Sequence, residues 1–240
     1  MLDWKPSQRT LISIRKQTED LIARFDKYIS HFEEAVPRGE AFGGPSLYFH
    51  FQCIQKYSCV PLAVKLHDER FFEYVYAVLA SWGMHRMGDT ATKLRSYREL
   101  KNEIISQHDH LSEIASCQIW RLDPPSSLQV LATLQLVLDA MKISKSRAHL
   151  VANTKVLHHI LPELVPPVDR SYTLAYFGIN TMLPSQKSAG AIFKYLFPAF
   201  VQVATRLSSK LVQIVDLHEE NWHTSPTKII DNALTGTMLE

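Results

Sequence analysis

Residues 153–178 read NTKVLHHILPELVPPVDRSYTLAYFG, and their spacing predicts a helix, a stiff crossing and a second helix. Val156, Leu157, Ile160 and Leu161 recur at helical spacing and give the first helix an apolar face. Asn153 or Thr154 caps it, because a short side-chain oxygen accepts from the free amides of a first turn. Pro162 limits it, and Pro166 and Pro167 fix two φ angles and press Val165 toward extended backbone. Asp169 stands where the next helix opens, with Tyr172, Ala175 and Tyr176 on one face and Gly178 as its stop. A carboxylate there has two readings. It is an N-cap contributing about 1 kcal/mol, or it is a group that carries chemistry.

The second reading rests on a resemblance. An apolar helix, a loop ending in Pro-x-Val-Asp and a helix opened by that Asp is similar to the segment around the catalytic aspartate of helix-hairpin-helix DNA glycosylases. The resemblance covers the 26 residues quoted out of 240. It implies a helical DNA-acting protein with Asp169 at the catalytic position and Arg170 and Tyr172 on the helix after it. Lys155 lies near the region of the family's catalytic lysine but at a different distance from Asp169 along the chain. The family's glycine hairpin would precede Asn153, where this chain reads KISKSRAHLVA without a glycine. The resemblance thus implies DNA association first and base excision second. The phrases SWGMHRMG and KIIDNAL are shared with a set of bacterial proteins, and that likeness implies no activity.

Outward from this stretch every element reads as helix, so the predicted fold is all-α. It is a multi-helix bundle of about ten helices, glycosylase-like by the resemblance, with no significant sheet. Toward the N-terminus, Leu11, Ile14, Thr18, Leu21, Phe25, Tyr28 and Phe32 step by three and four along one long helix over 7–35. This seam packs on the body or pairs two copies as a homodimer. Residues 37–45, PRGEAFGGP, break the chain, and Ser46 opens an aromatic helix. Asp68 caps a core helix that Gly83 ends. His85 and Arg86 follow in an irregular turn, where they reach a ligand or cap the preceding carbonyls. Ser96 and Glu99 form a capping box for a helix through Ile114.

Asp123, Pro124 and Pro125 mark a break before an amphipathic helix over 128–141. A helix from Ser185 or Ser188 to Phe197 and another over 199–217 follow. Ser225 and Pro226 open a short last one, with proline at its first position. The breaks delimit three segments: the heptad-patterned helix at 1–36, an aromatic helical segment at 37–125, and a basic helical segment at 126–240 that carries Asp169.

Net charge is only +2, but it is unevenly spread along the chain. Between residues 140 and 215 nine Lys or Arg stand against Glu163 and Asp169, a local balance of +7 that leaves −5 elsewhere. Such a stretch suits a polyanion, because neutralised phosphates release counterions. It suits equally a solvated basic surface. The candidate nucleic-acid contacts are Lys142, Lys145, Arg147, Lys155 and Arg170. Trp82, Tyr74 and Tyr76 have core-like spacing and read as packing.

Other chemistries are excluded or left without a motif. The 8 glycines are too few for nucleotide loops or β-rich turns. His158 and His159 are adjacent and diverge on a helix, so no metal site and no cofactor is expected. The odd set Cys53, Cys59 and Cys117 reads as buried free thiols, and no apolar span or secretory leader appears. The expected location is cytoplasmic, without a membrane partner. A protein-interaction or scaffold module, dimeric through the N-terminal helix, is the alternative to DNA association.

Overall fold

The computed structural model describes residues 5–36, 43–84, 93–145, 149–179, 189–216 and 221–239. Helix follows helix: α1 Gln8–Ala23, α2 Phe25–Ala35, α3 Pro45–Gln55, α4 Leu62–Lys65, α5 Glu69–Leu79 and α6 Tyr97–Ile105. Then come α7 His108–Ile114, α8 Pro124–Ala140, α9 His149–Ile160, α10 Ala189–Arg206, α11 Ser208–Ile214 and α12 Pro226–Gly236. Among the described residues there is no strand, and a bridge pairs Leu94 with Ser144. The all-α expectation holds.

The caps read from sequence do the work expected of them. Asp68 and Ser225 each accept a first-turn amide and Ser96 with Glu99 closes a full capping box, while Ser7 and Asp123 prove to be caps that the sequence reading had not assigned. Some boundaries moved. The helix over 7–35 is two, kinked at Arg24 (φ −113°, ψ 17°), where α2 swings from the direction of α1 to lie on α12. The 97–114 helix likewise breaks at Gln107. Pro124 and Pro125 open α8 rather than precede it, because an N-terminal turn has no use for their missing N–H.

Pro198 stops nothing. It lies inside α10 with its ring exposed, while Phe193, Phe197, Phe200 and Val203 are fully buried on either side. Each of those side chains contributes roughly 1.5–3 kcal/mol by burial, which outweighs one missing backbone hydrogen bond. The break falls instead at Leu207.

One contiguous core takes residues from all three sequence segments, from Ile14 to Leu234. Helix α10 runs through it, packed on α1, α8, α9 and α12. The heptad seam is spent inside the chain. Ile14, Thr18, Leu21, Phe25, Tyr28 and Phe32 are buried, α1 lies on α10 and α2 on α12, and only Leu11 at the near end stays exposed. Of the thiols, Cys53 is buried, Cys117 partly so and Cys59 exposed. No helix among the described residues is long and apolar enough to cross a membrane.

Candidate functional site

Helix α9 begins earlier than its sequence suggested, so Asn153 and Thr154 lie mid-helix instead of capping it. Both are fully buried and tie neighbouring segments down. Asn153 Nδ2 donates to the carbonyls of Leu138 (2.9 Å) and Met141 (2.8 Å), closing the C-terminal end of α8. Thr154 Oγ1 donates to the Leu150 carbonyl and accepts from the Val168 amide at 3.1 Å. His158 Nδ1 meets the Val165 carbonyl at 3.0 Å. The crossing over 161–168 is thereby stitched to α9 by α9's own side chains.

That stitching sets Asp169 beside Lys155. The Lys155 ammonium donates to Asp169 Oδ2 at 3.2 Å, and Asp169 Oδ1 accepts from the Ser171 amide at 2.8 Å. Asp169 is therefore the N-cap that its position implied and also half of an ion pair. The element that it opens is a π turn, Arg170–Leu174, before Gly178 ends it at φ +69°. Lys155 is the deeper partner, its side chain 11% exposed against 27% for Asp169. Its ammonium also lies 5.4 Å from the centre of the Trp82 ring, a cation–π contact.

A second pair stands on α12. Lys228 Nζ donates to Asp231 Oδ2 at 2.7 Å and to Asn232 Oδ1 at 2.6 Å, with the Trp222 ring centre 5.0 Å away. Asn232 Nδ2 in turn donates to the Trp222 carbonyl and to His223 Nδ1. His223 Nδ1 must then be a lone pair, so its Nε2 carries the proton and faces Glu33 Oε1 at 3.0 Å. Burial pushes the Asp231 carboxyl up, Lys228 offsets part of this, and the charge of Asp169 adds to the rise. Two ammonium groups and two carboxylates thus balance to zero, as interior charges must.

Three histidines fill the space between the pairs. His50 from α3 stacks on His158 with ring centres 5.7 Å apart, and meets His159 edge-on at 5.2 Å. Adjacent positions diverge on a helix, yet both rings turn toward the same third ring. Burial holds His50 and His158 well below the usual histidine range and His159 at about 4. All three are neutral at pH 7, and neutrality fixes the protons. A carbonyl only accepts, so His159 Nδ1 donates to that of Lys155 at 2.7 Å. His159 Nε2 then accepts from His50 Nδ1 at 3.0 Å, and His50 Nε2 accepts from Thr224 Oγ1 at 2.7 Å. His158 Nε2 is left as a buried lone pair with no partner among the described residues. No group of three or more metal-type ligands converges among those residues.

The remaining sequence candidates are exposed or lie outside the described residues. Arg170 is exposed next to Asp169 in the chain. Lys142 and Lys145 are exposed near the Leu94–Ser144 bridge, where the Lys142 amide donates to Glu103 Oε2. Arg147, His85 and Arg86 lie outside the described residues. The basic stretch is not a bare basic face, because folding supplies acids from the N-terminal half. Lys210 pairs with Asp26, and Lys155 is buried.

Sequence reasoning missed His50, Trp222, His223, Lys228, Asp231 and Asn232, and took Trp82 for packing alone. One signal was present. Lys228, Asp231 and Asn232 stand at i, i+3 and i+4, the spacing that puts polar groups on one face of an otherwise apolar helix. Comparisons of the chain with protein-family models, with curated proteins and with solved structures each gave no match.

Proposed function

We propose that this chain associates with DNA and that Asp169 is its reacting group, as the resemblance to helix-hairpin-helix glycosylases implies, with Lys155 holding it in place. The observation that carries the reading is the 3.2 Å contact between a lysine ammonium and that carboxylate, part-buried beside an indole. An ionised carboxylate held at the rim of a low-dielectric cluster stabilises a developing sugar cation far better than one in water. Trp82 and the half-buried Tyr172 offer aromatic surface for an extruded base. The exposed Arg170, Lys142 and Lys145 are the groups for phosphate contact.

The test has two arms. Binding to single- and double-stranded DNA is titrated at about 50 and 200 mM salt, where phosphate contacts predict a steep fall in affinity. Base release is then followed from oligonucleotides carrying uracil, hypoxanthine, 8-oxoguanine or an alkylated purine, wild type beside Asp169→Asn. The expected result is salt-sensitive binding by both proteins and release by the wild type alone. Absence of binding at low salt removes the nucleic-acid reading, and release that survives in Asp169→Asn removes the role of Asp169.

A second reading, an interaction module, is favoured by one observation. Leu128 and Leu136 stand 69% and 58% exposed on the outer side of α8.

A further inference from the structure

We infer that Asp231 is the general base of this site, drawing a proton from the attacking water, while Asp169 acts through its charge alone. The inference rests on the glycosylase-like reading above and deepens it by dividing the labour between two carboxylates. The division follows from which oxygens are engaged. Each oxygen of Asp169 already accepts one hydrogen bond, Oδ1 from the Ser171 amide and Oδ2 from Lys155. Asp231 has only Oδ2 engaged, by Lys228 at 2.7 Å. Its Oδ1 has no partner among the described residues, and the side chain keeps 12% of its surface open, enough for a water to reach it. A general base needs a free lone pair within hydrogen-bond reach of the proton that it takes. Asp231 Oδ1 offers both of its lone pairs, whereas each Asp169 oxygen already has one engaged.

The surroundings suit the role. Helix α12 packs on the π turn Arg170–Leu174, so the two carboxylates share one neighbourhood. Lys228 faces Asp231 from α12 itself, Asp169 and Tyr172 from the head of the π turn, and Lys155 from α9. Burial and the charge of Asp169 push the Asp231 carboxyl up against the pull of Lys228 and Lys155, which makes the carboxylate a stronger base. In the step, a water oxygen bonds to the sugar C1′ and its proton passes to Asp231 Oδ1. The C1′–N bond breaks with its electron pair on the leaving base, which takes a proton from bulk water. Asp231 then returns its proton to solvent, so that the net change is hydrolysis.

The experiment is base release by the full chain from the same oligonucleotides, as a function of pH. Only ionised Asp231 is active, so the wild-type rate falls as pH drops through its raised value. Asp231→Asn is expected to lose 100-fold or more in rate and to lose that acid limb, since general bases contribute about 10²–10⁴. Asp231→Glu restores part of both. Because Asp231→Asn leaves the Lys228 ammonium uncompensated, Lys228→Met with Asp231→Asn is made alongside, and is expected to fold and stay inactive. Release by either Asn variant within tenfold of wild type with the same pH profile, or a wild-type profile without an acid limb, overturns the inference and leaves the reading of Asp169 standing. A wild type that releases no base overturns both.

Discussion

A Cβ placed on Gly236 would stand 1.9 Å from the carbonyl oxygen of Tyr28, so α12 and α2 cross in backbone contact. No side chain fits between them, and that contact seats the Lys228 ammonium over the Phe32 and Trp222 rings. Gly236→Ala must push the two helices apart. The expected loss is about 3 kcal/mol or more, at the upper end for overpacking. Urea denaturation measures it, and a loss below about 1 kcal/mol would mean that the crossing relaxes freely.

Asp169→Asn keeps the amide contact to Ser171 but strips Lys155 of its counter-charge. A cap alone predicts almost no cost, since Asn caps as well as Asp. The ion pair predicts a loss on the order of 1–2 kcal/mol, reduced from the fully buried case because Asp169 is 27% exposed. Lys155→Met in the same chain is expected to recover most of it. A double-mutant cycle reads the coupling, and an interaction energy near zero would leave Asp169 as a cap only.

Asn153→Ala exposes no surface and removes no charge, yet it orphans the carbonyls of Leu138 and Met141 in a fully buried place. Unsatisfied buried carbonyls cost about 1–3 kcal/mol each. The expected loss is therefore on the order of 2–4 kcal/mol, read from the thermal midpoint. A shift of less than about 2 °C, well under the several degrees that 1 kcal/mol brings, would contradict it.

The histidine cluster makes stability pH-dependent with a definite sign. His159 titrates at about 4 in the folded chain against 6.5 unfolded, so between those values the unfolded chain binds more protons. Stability is full above about 6.5 and falls as pH drops toward about 4, by roughly 3 kcal/mol from this residue. His50 and His158, depressed by burial in the same way, act in the same direction. Urea midpoints at pH 7.5 and 5 decide the matter. Equal midpoints would show that the rings are protonated or hydrated at little cost.

The caps were legible because each is settled within three or four residues. Asp68, Ser96 and Ser225 announce their helices whatever the rest of the chain does. Where a boundary depended on packing, the pattern misled. Pro198 is a breaker by its own chemistry, and only the buried phenylalanines on either side keep α10 whole. Asn153 looked like a cap by type, and it is one, but for the end of α8 rather than the start of α9.

What the sequence determined by itself was the all-α class, several helix starts and the placement of Asp169 at the head of its turn. All three are local properties of apolar period and backbone capping. The tertiary structure alone decided that Lys155 reaches Asp169 and that His50 meets His158 and His159. It also decided that the short last helix lies buried with a second lysine–aspartate pair. The reason is physical. A charge cannot enter the interior without a partner, and which partner it finds is set by how the helices cross, over separations that no local pattern records.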